Sequence, residues 1–89
     1  MAEPVDRFVV TPHALFEMRR RGIREDELGE VLAAPGQRWT VRAGRDVLQS
    51  RVATAGKPYL LRVFVDTDCR PPEVVTAYRT GKIEKYWRP

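Results

Sequence analysis

The single histidine of this chain, His13, follows Thr11 and Pro12. That pair predicts a helix start, because a threonine hydroxyl can accept an orphan amide of the first turn and a proline costs nothing at the first helical position. An imidazole there stands beside free amides that favour phosphate. Cleavage of RNA by its own 2′-OH needs a group to take that proton, a group to protonate the departing 5′-oxygen, and cations to steady the phosphorane. His13 is a candidate for either proton transfer. The alternative is a helix-start histidine hydrogen-bonded to the sheet or to the C-terminal strand.

Arg62 interrupts the apolar run Tyr59-Leu-Leu-Arg-Val-Phe-Val65. A charge in such a strand is costly unless it is paired or faces water. The expectation is an open sheet surface that Arg62 shares with Arg51 on the preceding strand and with Tyr78 or Arg79 on the following one. The register is left open by the sequence, and an ion pair with Glu17, Asp66 or Glu73 is the competing reading. Thr76 and Tyr78 alternate onto one face of the last strand. Each can donate to phosphate, and a tyrosine can also stack a base or act as an acid; a half-buried tyrosine with its hydroxyl at the rim is the plainer account.

Lys82, Lys85, Tyr86, Trp87 and Arg88 interleave basic and aromatic side chains, as surfaces for single strands do. Trp87 would equally serve to pin the tail. Arg19, Arg20, Arg21 and Arg24 form a basic patch where the first helix ends, and the helix dipole accounts for at least two of them. The candidate set is therefore His13, Arg62 and Tyr78 for catalysis, with Arg21, Arg51, Thr76, Arg79, Lys82, Lys85 and Tyr86 for RNA binding. Asp66, Asp68 and Glu73 gather around one loop, but without paired histidines or carboxylate–lysine spacing they make no nuclease metal site. No metal and no cofactor are expected, and phosphate-loop and dinucleotide signatures are absent from the sequence.

These residues need a scaffold. Ala14, Leu15 and Met18 give a first helix its apolar stripe to about Arg21, with Gly22 as the left-handed stop and Ile23 folding back. Glu25, Asp26 and Glu27 open a second helix with stripe Leu28, Val31 and Leu32, ended by Pro35 and Gly36. The period then becomes alternating, which predicts strands over 38–42, 46–54, 59–66 and 73–79, with turns at Ala43-Gly44-Arg45 and Ala55-Gly56-Lys57. The third strand, apolar on both faces except at Arg62, should be central. Residues 8–10 form a short extended lead-in. The expected fold is α+β: two N-terminal helices packed on a four-stranded antiparallel sheet, in one domain.

Sixteen Lys and Arg against twelve Asp and Glu give a net charge of +4 and a pI near 9.7. The excess is mostly arginine, whose planar fork suits phosphate and stacks on bases, so nucleic acid or an acidic protein surface is the expected partner; plain solubility explains a charge of this size as well. One cysteine, Cys69, excludes an internal disulfide within one chain and suggests a reducing compartment. The opening residues lack the pattern of a leader and no apolar run reaches membrane-spanning length, so a cytoplasmic protein is expected.

The segment His13-Ala-Leu-Phe-Glu-Met-Arg-Arg-Arg-Gly-Ile23 and the segment Val74-Val-Thr-Ala-Tyr-Arg-Thr-Gly-Lys-Ile-Glu-Lys-Tyr-Trp-Arg88 together resemble the bacterial family catalogued as domain of unknown function four-two-five-eight. The resemblance implies a fold similar to the RelE-like and BrnT-like ribonuclease toxins of the barnase-EndoU-colicin-RelE group. It implies metal-independent endoribonuclease chemistry on mRNA at the ribosome, and a cognate antitoxin as protein partner. Arg21 matches the family's Arg-Gly-Ile break, and Thr76 and Tyr78 its Thr-x-Tyr. Glu17 departs from the pattern, since many members carry arginine there. A non-catalytic RNA- or protein-binding module of the same fold is the alternative.

Overall fold

A computed structural model describes residues 2–89. The elements in order are β1 (Val9–Val10), α1 (Pro12–Arg20), α2 (Glu25–Ala33), β2 (Gln37–Arg42), β3 (Arg45–Thr54), β4 (Lys57–Asp66), β5 (Glu73–Thr80) and α3 (Ile83–Tyr86). They form one sheet in the order β1-β5-β4-β3-β2, with α1 and α2 on one face. The mixed α+β class is as expected, and β4 is the central strand.

The α1 signals act as the sequence implies. Thr11 Oγ1 accepts from the Ala14 amide at 3.1 Å and Pro12 takes the first helical position. At the far end Gly22 adopts φ +69°, its amide reaches Arg19 O, and the Ile23 amide reaches Met18 O at 2.8 Å. Those two bonds satisfy carbonyls the helix would leave free, and Ile23 drops into the core. In the first turn of α2, Glu27 accepts from the Arg24 amide at 3.0 Å and Asp26 from the Glu27 amide at 2.9 Å.

β2 to β5 pair as successive antiparallel hairpins. Ala55 and Gly56 both have positive φ, 52° and 77°, the two-residue turn whose twist matches that of its strands. The sheet has five strands rather than four. The extended residues ahead of α1 form β1, which pairs parallel with β5 at Val9↔Glu73 and Val10↔Val74. Two residues are too few to show an alternating pattern, so this strand carries no periodic signal.

The core lies between helices and sheet, where Met18, Leu28 and Leu32 meet Leu48, Leu61 and Val63 with no exposed surface beyond 1%. Alternation sends the intervening residues to the opposite face, where Val47, Gln49, Leu60 and Arg62 are also buried. That face has a cover of its own. Residues 83–89, expected as a basic and aromatic tail that Trp87 could pin, make the single helical turn α3 and continue across β3 and β2. Among the described residues, no helix is long and apolar enough to cross a membrane.

Candidate nucleic-acid interface

The register settles which arginines share a face. Arg62 pairs directly with Gln49 on β3 and with Tyr78 on β5, while Arg51 stands opposite Leu60, two residues from Arg62. Directly paired residues of an antiparallel sheet point to the same side. Phe64 and Thr76, also paired, join them, and Trp39 enters from β2 opposite Val47. Arg62, Arg51, Thr76 and Tyr78 therefore occupy the face turned away from α1 and α2.

Arg62 is the hub of that face. Its Nε donates to Gln49 Oε1 at 2.8 Å and its Nη1 to Tyr78 Oη at 2.7 Å. Its guanidinium carbon lies 4.3 Å from the Tyr86 ring centroid, 5.3 Å from Phe64, 5.8 Å from Tyr78 and 5.9 Å from Trp39. Among the described residues no carboxylate lies within ion-pair distance of it. Of the acids that compete for it in sequence, Asp66 is engaged with Arg45 and Glu17 with Arg20 and Arg21, while Glu73 is in no ion pair among the described residues. A buried guanidinium normally has an anion beside it; here neutral oxygens and π faces hold it instead, and the positive charge is left unneutralised.

The open surface expected around Arg62 is closed. Arg62 is 7% exposed, because Tyr86 stacks on it and main chain from the tail seals the rim. Gln49 Nε2 donates to Tyr86 O at 3.0 Å and to Gln37 Oε1 at 2.8 Å. Gln37 in turn donates from Nε2 to Arg88 O at 2.6 Å and accepts from the Arg88 amide at 3.1 Å. Arg88 lies 3.9 Å over Trp39, and Arg51 4.7 Å over Trp87. Around this lid Arg51, Lys82, Lys85 and Arg88 are exposed, and none is in an ion pair among the described residues. The surface alternates cations with half-buried aromatic rings.

Three candidates stand elsewhere. Arg79 points into the helical layer, where it donates to Arg21 O and Gly22 O and lies 3.6 Å from Glu27; it ties β5 to the turn between α1 and α2. Alternation decides this, since Arg79 follows Tyr78. Arg21 donates to Ala77 O at 2.9 Å and pairs with Glu17 at 2.9 Å, closing a carbonyl of β5 rather than facing a ligand. The Glu17 carboxyl is held below its usual range, first by the hydrogen bond from Arg20. His13 is exposed on α1, on the opposite side of the sheet from Arg62 and Tyr78. The three catalytic candidates do not converge.

Gln49 and Gln37 are the residues of this face that sequence reasoning passes over. The signal for Gln49 is present in retrospect: a polar side chain amid Val47, Leu48 and the β3 apolar pattern must find partners if buried. A hollow of about 660 Å³, lined by Arg7, Phe8, Arg70 and Pro71 among others, lies apart from the Arg62 cluster. Among the described residues no three His, Cys, Asp or Glu side chains gather as a metal site would require. No family model, curated protein or solved structure matches this chain, so its site is read from its own geometry.

Proposed function

We propose that the chain binds single-stranded RNA across the face built on Arg62, with the bases on Trp39, Phe64 and Tyr78 and the phosphates on Arg51, Lys82, Lys85 and Arg88. The observation that carries this reading is a guanidinium with no carboxylate within ion-pair distance, ringed by Trp39, Phe64, Tyr78 and Tyr86 on a rim of cations that form no ion pair among the described residues. Base–aromatic stacking is worth about 1–3 kcal/mol per base and tolerates any sequence. Thr76 supports the same strip from β5, where it pairs with Phe64.

The test is anisotropy of a labelled single-stranded RNA over a range of salt. Neutralising about three phosphates predicts a slope near −2 in log affinity against log salt. Arg51→Ala removes an exposed cation, so it should weaken binding uniformly across sequences and reduce that slope by about 0.7. Absence of binding at low salt, or a slope indifferent to Arg51, overturns the reading.

Endoribonuclease action is the second reading, and the Arg62–Tyr78 pair is what favours it. Tyr78 accepts from Arg62 through a lone pair, which leaves its own O–H free to protonate the departing 5′-oxygen as the P–O5′ bond breaks, while the attacking 2′-oxygen gives its proton to water and bonds to phosphorus. Arg62 would steady the charge on the phosphorane. His13, a candidate for either proton transfer, stands across the sheet, and that separation ranks binding above cleavage. This second reading has the resemblance to toxin families behind it, with mRNA on the ribosome as substrate, a cytoplasmic setting and an antitoxin as partner. Growth arrest on expression, relieved by Tyr78→Phe, would raise it above the first; a harmless chain that degrades no RNA would leave binding alone.

A further inference from the structure

We propose that residues 83–89 are a built-in occupant of the RNA-binding face, and that RNA binds only as this segment lifts away. The inference rests on the RNA-binding reading and concerns how that site is regulated. The Tyr86 ring lies over the Arg62 guanidinium, 4.3 Å from ring centroid to carbon, and holds the place a base would take. Arg88 covers Trp39 at 3.9 Å, which removes a second stacking surface. With the segment down, Arg62 is 7% exposed and has no route to a phosphate.

The fastening is of a kind that can open. Apart from the ring contacts, it consists of three hydrogen bonds to two glutamine side chains, Gln49 to Tyr86 O, Gln37 to Arg88 O and the Arg88 amide to Gln37, with a Gln49–Gln37 bond that aligns the pair. Gln37, Tyr86 and Trp87 are only half-buried and Arg88 is exposed, so water can replace these bonds. The segment belongs to none of the helices that form the main core. It also carries Lys85 and Arg88, cations that can follow the phosphates once the segment has moved. A site held shut by a low-stability element shows an affinity reduced by the fraction of molecules that are open.

Two substitutions loosen the segment without changing its charge. Gln37→Ala removes both latches to Arg88. Gly36→Ala places a methyl 2.9 Å from Trp87 Cη2 and 3.2 Å from the Gln49 carbonyl oxygen, so it crowds both the ring of the segment and the β3 main chain beneath it. The full-length chain is titrated with a labelled single-stranded oligouridylate, and amide hydrogen exchange is followed at Arg88 by NMR. Both variants should bind about three- to tenfold more tightly than the wild type, and RNA should speed exchange at the Arg88 amide while Leu61 in the core stays protected. If the variants bind more weakly, or RNA slows exchange at Arg88, the segment clamps RNA and the proposal is overturned although the RNA-binding reading survives. If neither the wild type nor the variants bind RNA, both fall together.

Discussion

Arg62 and Tyr78 stand opposite each other on neighbouring strands, and the guanidinium donates to the phenol oxygen at 2.7 Å. With Gln49 on the other flank, the same arginine spans three strands at their centre. It organises the second face of the sheet as Met18 and Leu61 organise the first. The charge at the centre of this face lies within cation–π distance of four of its rings.

Arg62→Lys keeps the charge but offers a point donor in place of a fork, so it cannot serve Gln49 and Tyr78 together in the same geometry. It should destabilise the fold by about 1–2 kcal/mol in urea unfolding, the cost of leaving a buried acceptor short of its donor. A neutral result would mean that the hub is not structural.

Arg79→Ala is expected to separate stability from binding. It removes the tie from β5 to Arg21 O and Gly22 O, for a loss of about 2 kcal/mol, yet RNA affinity should be unchanged because Arg79 faces the helices. Equal losses in both assays would show that the two faces are not independent.

His13→Ala should leave both stability, to within about 0.5 kcal/mol, and RNA affinity as they are. Loss of RNA cleavage or binding in this variant would place the active surface on the helical side.

The Arg45–Asp66 pair gives stability its acid limb. Arg45 donates from Nε at 2.6 Å and from Nη2 at 3.2 Å, and this fork holds the Asp66 carboxyl below the usual aspartate range. A lowered native value means that the contribution is complete above the unfolded value, about pH 3.9, and is lost as pH falls through the native one. The pair is about a quarter exposed, so the loss between about pH 6 and pH 2 should be about 1 kcal/mol. Asp66→Asn should lower stability at neutral pH and flatten that limb. An unchanged acid limb in the variant would assign it to other carboxylates.

Much of the scaffold can be read from local signals. Thr11-Pro12 and Gly22-Ile23 bound α1 because caps act within a few residues, and Ala55-Gly56 marks its hairpin for the same reason. The alternation of Thr76 and Tyr78 correctly sets them on one face. What escapes is long-range. Whether Tyr78 or Arg79 joins Arg62 depends on a register fixed by the whole sheet, and a bulge near Phe64 and Val65 shifts it. β1 depends on a partner more than sixty residues away. His13 and Arg62 each look reactive in sequence, but no local pattern tells that α1 packs on the far side of the sheet. The closing of the Arg62 face by residues 83–89 rests on Gln37 and Gln49, polar residues that no motif distinguishes.

The most direct test of the central claim is a map of amide shifts as a single-stranded RNA is titrated into the labelled protein. Binding to the Arg62 face predicts that the changes gather at Trp39, Gln49, Arg51, Tyr78 and residues 85–88, with α1 and α2 silent. Changes centred on His13, Phe16, Arg19 and Arg20 would contradict the account and move the interface to the helical layer.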